Sequence, residues 1–143
     1  MGNLYEDDIL LWSERQAALL RRLAAGEHIN DRELDWANLG EEIEAVGRVE
    51  LRTVESLLTQ AIVHRLKQTC WPMSNEVPLW RCREIRRRQD AADAFSPSMR
   101  HRVDLARINR QAMQRLEATL NGVPPAPAPD LSAVTLDEWL NVD

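Results

Sequence analysis

Between Trp36 and the pair Trp71-Pro72, apolar residues hold one helical phase for about ten turns. They run Trp36, Leu39, Ile43, Val46, then Leu51, Val54, Leu57, Leu58, Ala61, Ile62 and Leu66. At 1.5 Å per residue, a helix over about 35–70 is a rod of roughly 50 Å, and the rest of the chain has to fold around it. Gly40 and Gly47 each cost about 1 kcal/mol relative to Ala inside a helix. The phase passes through both unchanged, which predicts one element rather than two.

The flanking segments read as helix as well. Tyr5, Ile9, Trp12, Gln16, Leu19, Leu20 and Leu23 share one arc of a first helix over about 6–25, with Gly26 as its left-handed C-cap. Asp31 or Asp35 serves as N-cap of the long helix, whose first turns are crowded with acids that the helix dipole favours. Pro72 and Pro78 bracket an irregular link, after which Leu79, Cys82, Ile85, Ala92 and Phe95 draw a thin apolar stripe on a third helix over about 79–95. Ser96-Pro97 reads as N-cap and first turn of a fourth helix over about 97–121, faced by Met99, Leu105, Ile108, Ala112, Met113, Leu116 and Leu120 and closed by Gly122.

Residues 123–134 open with Val123-Pro124-Pro125-Ala126-Pro127-Ala128-Pro129, which cannot continue a helix and forms an extended linker. Thr135-Leu136-Asp137-Glu138 then has the form of a capping box, opening a short helix at about 136–141 that carries Leu136, Trp139 and Leu140. So short a helix is unstable alone, so Trp139 is expected to dock into a groove of the bundle. The predicted fold is all-α: an antiparallel bundle of four main helices in a single domain, 1–143, with a tethered C-terminal helix. No alternating strand pattern competes with it.

The chain of 143 residues is 44% hydrophobic and 29% charged, an ordinary globular composition. No stretch approaches the ~20 apolar residues that a bilayer crossing needs, and Met1-Gly2-Asn3-Leu4-Tyr5 leads into acid rather than into a signal sequence. Cys70 and Cys82 are the two cysteines, without C-x-x-C spacing, so reduced thiols and a cytoplasmic location are expected. Charge is divided unevenly. Residues 31–55 hold eight acids against three bases, net −5, and residues 81–110 hold nine arginines against four acids, net +5.

Asn3-Leu4-Tyr5-Glu6-Asp7-Asp8 through Leu11-Trp12, followed by "LDWANLGEEIEAVG" at 34–47, resembles the family of domains of unknown function numbered 29, found widely in cyanobacteria and proteobacteria. "HRLKQTCWP" at 64–72, Trp80-Arg81, "SPSM" at 96–99 and "TLDEWL" at 135–140 are similar to later landmarks of that family in the same order. The resemblance spans nearly the whole chain and implies a helical fold and a bacterial source. It implies no activity, cofactor or catalytic residue.

The chemistry-bearing side chains have bland readings close at hand. Glu41, Glu44, His64 and His101 invite a metal test, yet no Glu-x-x-His pair occurs, so a hydrogen-bonded His64 and arginine-paired or solvated glutamates are expected. His64 is about two turns from Cys70, too far along one helix to act as base for that thiol. Asn109 falls inside the apolar arc of the fourth helix, where an unpaired amide costs on the order of 1–3 kcal/mol. A bond to another helix is the ordinary outcome, and a polar lining for a small pocket is the sharper one.

The run "RCREIRRRQ" at 81–89 is a possible phosphate footprint, but at 100° per residue its arginines spread around the helix, so pairing with the acids of the second helix is favoured. The expected function is a protein-interaction or regulatory module whose partner is itself or another protein. Trp80, Arg83, Arg87 and Trp139 are its possible interaction surface. A nucleic-acid-binding accessory protein using the arginine-rich helix is the disfavoured alternative, and an enzyme or metal protein with an unrecognised site is the other. No catalytic residue, metal ligand, cofactor or membrane partner is expected.

Overall fold

The computed structural model describes residues 3–141. Among them the regular structure is helical, and no strand forms. The elements are α1 (Leu4–Asp7), α2 (Ile9–Ala24), α3 (Trp36–Cys70), α4 (Val77–Ala94), α5 (Leu105–Gln114) and α6 (Leu136–Leu140), with 3-10 turns at Asp31–Glu33 and Pro97–His101. Four of these are long, and α3 is continuous through Gly40 and Gly47, as its phase predicts. By contacts the chain forms two compact units, Met1–Arg48 and Val49–Asp143.

The N-terminal unit is held mainly by polar bonds. The expected single first helix is broken at Asp8, whose extended backbone and side-chain bond to the Leu11 amide (3.0 Å) make it the N-cap of α2, while Asn3 caps α1. Tyr5 and Trp12 meet edge to face with centroids 4.8 Å apart. Trp12 Nε1 donates to Asp35 (3.0 Å), the Asp35 amide donates to Gln16 (2.9 Å), and Gln16 Nε2 donates to the Glu33 carbonyl (3.2 Å). Asp35 lies just before α3, where its carboxylate accepts from the amide and side chain of Asn38. The Asn38 bond, with that from Trp12, holds the Asp35 carboxyl below its ordinary pKa. Of the face assigned to the first helix, Trp12 and Gln16 are buried, whereas Ile9, Leu20 and Leu23 are exposed.

The C-terminal unit contains the main hydrophobic core. Val54, Leu58, Ile62, Val63 and Leu66 of α3 pack with Ala91 of α4, with Met99 of the Pro97–His101 turn, with Ile108 and Ala112 of α5, and with Trp139 of α6. The expected fourth helix is divided. Ser96 opens a 3-10 turn at Pro97–His101, and Asp104, accepting from the Arg107 amide at 3.1 Å, caps a separate α5 that ends at Gln114. A second strong N-cap eight residues after the first therefore interrupts the run, although the apolar positions Leu105, Ile108 and Ala112 keep their inward role. Gly122 closes no helix. Asn121 and Gly122 both have positive φ (52° and 79°) and turn the chain between Leu120 and Val123, which exchange backbone bonds of 2.9 Å. Asn-Gly is the favoured pair for such a turn.

The proline-rich segment that follows is extended, and it is pinned. Trp71 Nε1 donates to the Val123 carbonyl (2.9 Å) and the Ala126 amide donates to the Cys70 carbonyl (2.8 Å). It delivers α6 with the capping box formed in both directions, Thr135 to Glu138 and Glu138 to Thr135, each at 3.2 Å. Trp139 is 1% exposed, so the tail docks. Trp139→Ala is expected to lower unfolding free energy by about 3–5 kcal/mol, the cost of truncating a buried large aromatic, measured by urea denaturation followed by circular dichroism.

Candidate functional site

The densest chemistry in the molecule surrounds Glu84 of α4. Its buried carboxylate accepts from Arg65 Nε (2.6 Å) and Nη2 (2.9 Å), from Gln68 Nε2 (3.0 Å) and from Arg88 Nη1 (3.3 Å). The glutamate partner raises the Arg65 pKa above its ordinary value, outweighing burial. Arg88 reaches on to the carbonyls of Trp139 (2.8 Å), Glu138 (2.8 Å) and Asn141 (2.6 Å), taking up the acceptors at the end of α6. The guanidinium of Arg65 lies 5.0 Å from the Trp139 ring centroid and that of Arg88 5.9 Å. Trp139 Nε1 has no hydrogen-bond partner. All acceptors of the cluster face cations, so it acts as a clamp on α6.

This cluster reverses the expected orientation of α4. Trp80, Glu84 and Ala91 are its buried residues; of the expected apolar stripe Leu79, Cys82 and Ile85 face out, while Ala92 is half-buried and Phe95 packs against the main core. Paired charge with complete hydrogen bonding is buried here in place of three unremarkable apolar side chains. Nor do the arginines of 81–88 take their observed partners from the acids at the start of the long helix: Arg87 pairs with Asp90 (3.6 Å) and Arg88 with Glu84.

Trp80, Arg83, Arg87 and Trp139 accordingly do not form one exposed surface. Trp80 is buried with Cys70 and Trp71, Trp139 lies in the main core, Arg83 is exposed and Arg87 is half-buried. His64 Nδ1 is 2.7 Å from the Gln60 carbonyl, the bonded histidine the sequence suggested. Burial depresses its pKa, with Lys67, Arg83 and Arg87 adding to the effect against that one bond. Burial raises the Cys70 thiol pKa, the opposite of what a nucleophile needs. Both cysteines are free. Among the described residues no three His, Cys, Asp or Glu side chains are grouped to hold a metal.

Several hollows open on the C-terminal unit, and two of them adjoin its buried core residues. One, of about 720 Å³, lies between the end of α3 and the turn at 120–126, with Cys70, Trp71, Met73, Leu120 and Val123 in its wall. The other, about 290 Å³, is lined by Ile62, Leu66, Met113, Leu131 and Asn109. Asn109 Oδ1 is buried there without a partner, so the register-setting bond expected of it does not form and the pocket-lining alternative holds.

The surface that sequence reasoning missed is on the N-terminal unit. Trp36 (54% exposed), Leu39, Ile43 (70%) and Val46 (66%) line one side of α3. Five turns further along the same helix, Val54 and Ala61 occupy the same angular positions as Trp36 and Ile43 and are fully buried. Periodicity revealed the stripe but not whether anything covers it.

The Domain of unknown function DUF29 family model matches residues 4–143. The chain belongs to the DUF29 family. It is also similar to an alpha-helical protein of unknown function from Rhodospirillum rubrum ATCC 11170, known from a crystal structure, at 30% identity and a TM-score of 0.69, over 100% of this chain and 92% of that one. No curated protein matches. DUF29 thus agrees with the resemblance read from the sequence, and these comparisons assign no activity to the Glu84 clamp or to the hollows.

Two outcomes follow from this geometry. Glu84→Ala strands two arginines and is expected to cost about 3 kcal/mol, at the low end for a buried pair because the Arg65 side chain stays 36% exposed; urea unfolding measures it. Because the folded pKa of His64 is depressed, the unfolded chain binds its proton first as pH falls. Stability should therefore drop as pH is lowered from about 6.5 toward 5, and His64→Gln should flatten that part of the pH–stability curve.

Proposed function

We propose that this protein is an interaction module of the bacterial cytoplasm that binds protein through the exposed apolar side of α3 in the N-terminal unit. The observation that carries the reading is the imbalance of that unit. Among its described residues, Trp12 and Leu34 are its buried hydrophobic side chains, while Ile9, Leu10, Leu20, Leu23, Trp36, Ile43 and Val46 are large and exposed. Contiguous apolar patches on monomeric proteins rarely exceed a few hundred Å², and larger ones mark association sites. The stripe has the i, i+3, i+7, i+10 spacing of a helix-to-helix seam.

Free thiols at Cys70 and Cys82 support a reducing compartment, and no helix among the described residues is long and apolar enough to cross a membrane. The bacterial assignment draws support from the source of the similar crystal structure. Ile43→Glu puts a charge in the middle of the stripe without touching the core of the C-terminal unit. The tagged wild-type chain is expected to retain protein, a copy of itself or another chain, from extracts of the source cells. The variant should lose that retention with urea unfolding of the C-terminal unit unchanged. Equal retention by both would sink this reading.

A further inference from the structure

We infer that α4 carries a second binding surface, a hollow on its outer side that takes an acidic peptide with an aliphatic anchor. The surface belongs to the C-terminal unit and does not depend on the α3 stripe.

The arginine-rich run divides into two sets once its partners are known. Arg87 pairs with Asp90 and Arg88 with Glu84, whereas Arg81, Arg83 and Arg86 are exposed and pair with no acid among the described residues. A chain of net charge −5 does not lack acids, yet none is set against these three.

Two of the three flank an apolar floor. An open hollow of about 430 Å³ is lined by Pro78, Arg81, Cys82, Ile85, Arg86 and Gln89. By helix geometry Pro78, Cys82, Ile85 and Gln89 form one strip about 17 Å long, and Arg81 and Arg86 stand about 70° to either side of it. Ile85 is 41% exposed and Cys82 is exposed beside it. The sole acid from 78 to 89 is Glu84, and it is buried on the other side of the helix in the clamp. Cation, apolar floor and cation therefore follow one another across the outer face of α4.

That order selects the occupant. The two arginine stems leave the helix about 10 Å apart, with Cys82 and Ile85 between them, so a single small anion does not serve both. A matching partner lays an aliphatic side chain on the floor and brings a carboxylate to each guanidinium, which can take it with two parallel bonds. A nucleic-acid backbone supplies anions but sets polar sugars over apolar residues. Exposed charge pairs add little affinity one by one, so the expected complex is weak, with a dissociation constant in the micromolar range. Arg83 lies about 130° round the helix from the floor and takes no part, which makes it the control for charge alone.

The test uses the full chain and fluorescence anisotropy at physiological salt. The probe is a labelled peptide of about 15 residues, long enough to form helix, built of glutamate and leucine with the leucines along one side. It should bind, and replacing Arg81 and Arg86 together by alanine should weaken it roughly 10-fold or more, as should Ile85→Ser. Arg83→Ala should change the affinity by less than about twofold. All four positions are exposed, so urea unfolding of every variant should match the wild type. A peptide with serine for each leucine should bind far more weakly. Absence of peptide binding overturns the inference, and so does equal binding of the serine peptide or an equal loss with Arg83→Ala, which would mean diffuse charge attraction. A labelled DNA duplex that binds more tightly than the peptide, and through Arg81 and Arg86, would make the occupant nucleic acid instead. Ile43→Glu should leave peptide binding unchanged; its loss there would move the peptide to the α3 stripe and overturn a separate surface on α4.

Discussion

The carboxylate of Glu84 decides how the C-terminal unit is put together. A buried charge is tolerable only when its lone pairs are met, and meeting them requires Arg65 and Gln68 from α3 and Arg88 from the next turn of α4. That demand rotates α4 so that Glu84 faces inward and Leu79, Cys82 and Ile85 face out. It also places Arg88 where it collects the terminal carbonyls of α6, and brings two guanidinium groups to the Trp139 ring. Docking of the tail, burial of the largest core side chain and orientation of a long helix all depend on one acid.

The parts of the fold that local chemistry specifies were readable from the residues. The length of α3, its passage through Gly47, the extended proline segment and the capping box at Thr135 and Glu138 each rest on signals spanning a few residues. What escaped was set by partners distant in sequence. Nothing near Glu84 announces Arg65, nineteen positions earlier, and a thin stripe of Leu79, Cys82 and Ile85 looked more like a buried face than a glutamate did. The division of the fourth helix is a contest between two caps, Ser96 and Asp104, and the sequence pattern alone does not rank them. Gly122 reads as a helix stop by itself and as half of a turn once Asn121 is read with it.

The candidate surface was half legible for a related reason. Hydrophobic periodicity reports that a helix has an apolar side, and it is silent on what lies against that side. In α3 the same side is covered at Val54 and Ala61 and open at Trp36 and Ile43. The N-terminal unit meanwhile satisfies itself through Asp35, Gln16, Trp12 and Tyr5, a network of directed bonds that uses little apolar surface. A unit built this way keeps its shape without using up its hydrophobic side chains, which is what a surface meant for association requires.

The position of Trp139 has a consequence for biosynthesis. Ribosomes add about 5–20 residues per second, so roughly 3–11 s separate the appearance of Glu84 from that of Trp139. During that interval α3, α4 and α5 can assemble only around an unfinished core, with Leu58 and Ile62 lacking the indole that covers them and Arg88 lacking the carbonyls it binds. The nascent chain is at its most vulnerable to chaperone capture, proteolysis or wrong pairing then, and the closing step is the arrival of a five-residue helix.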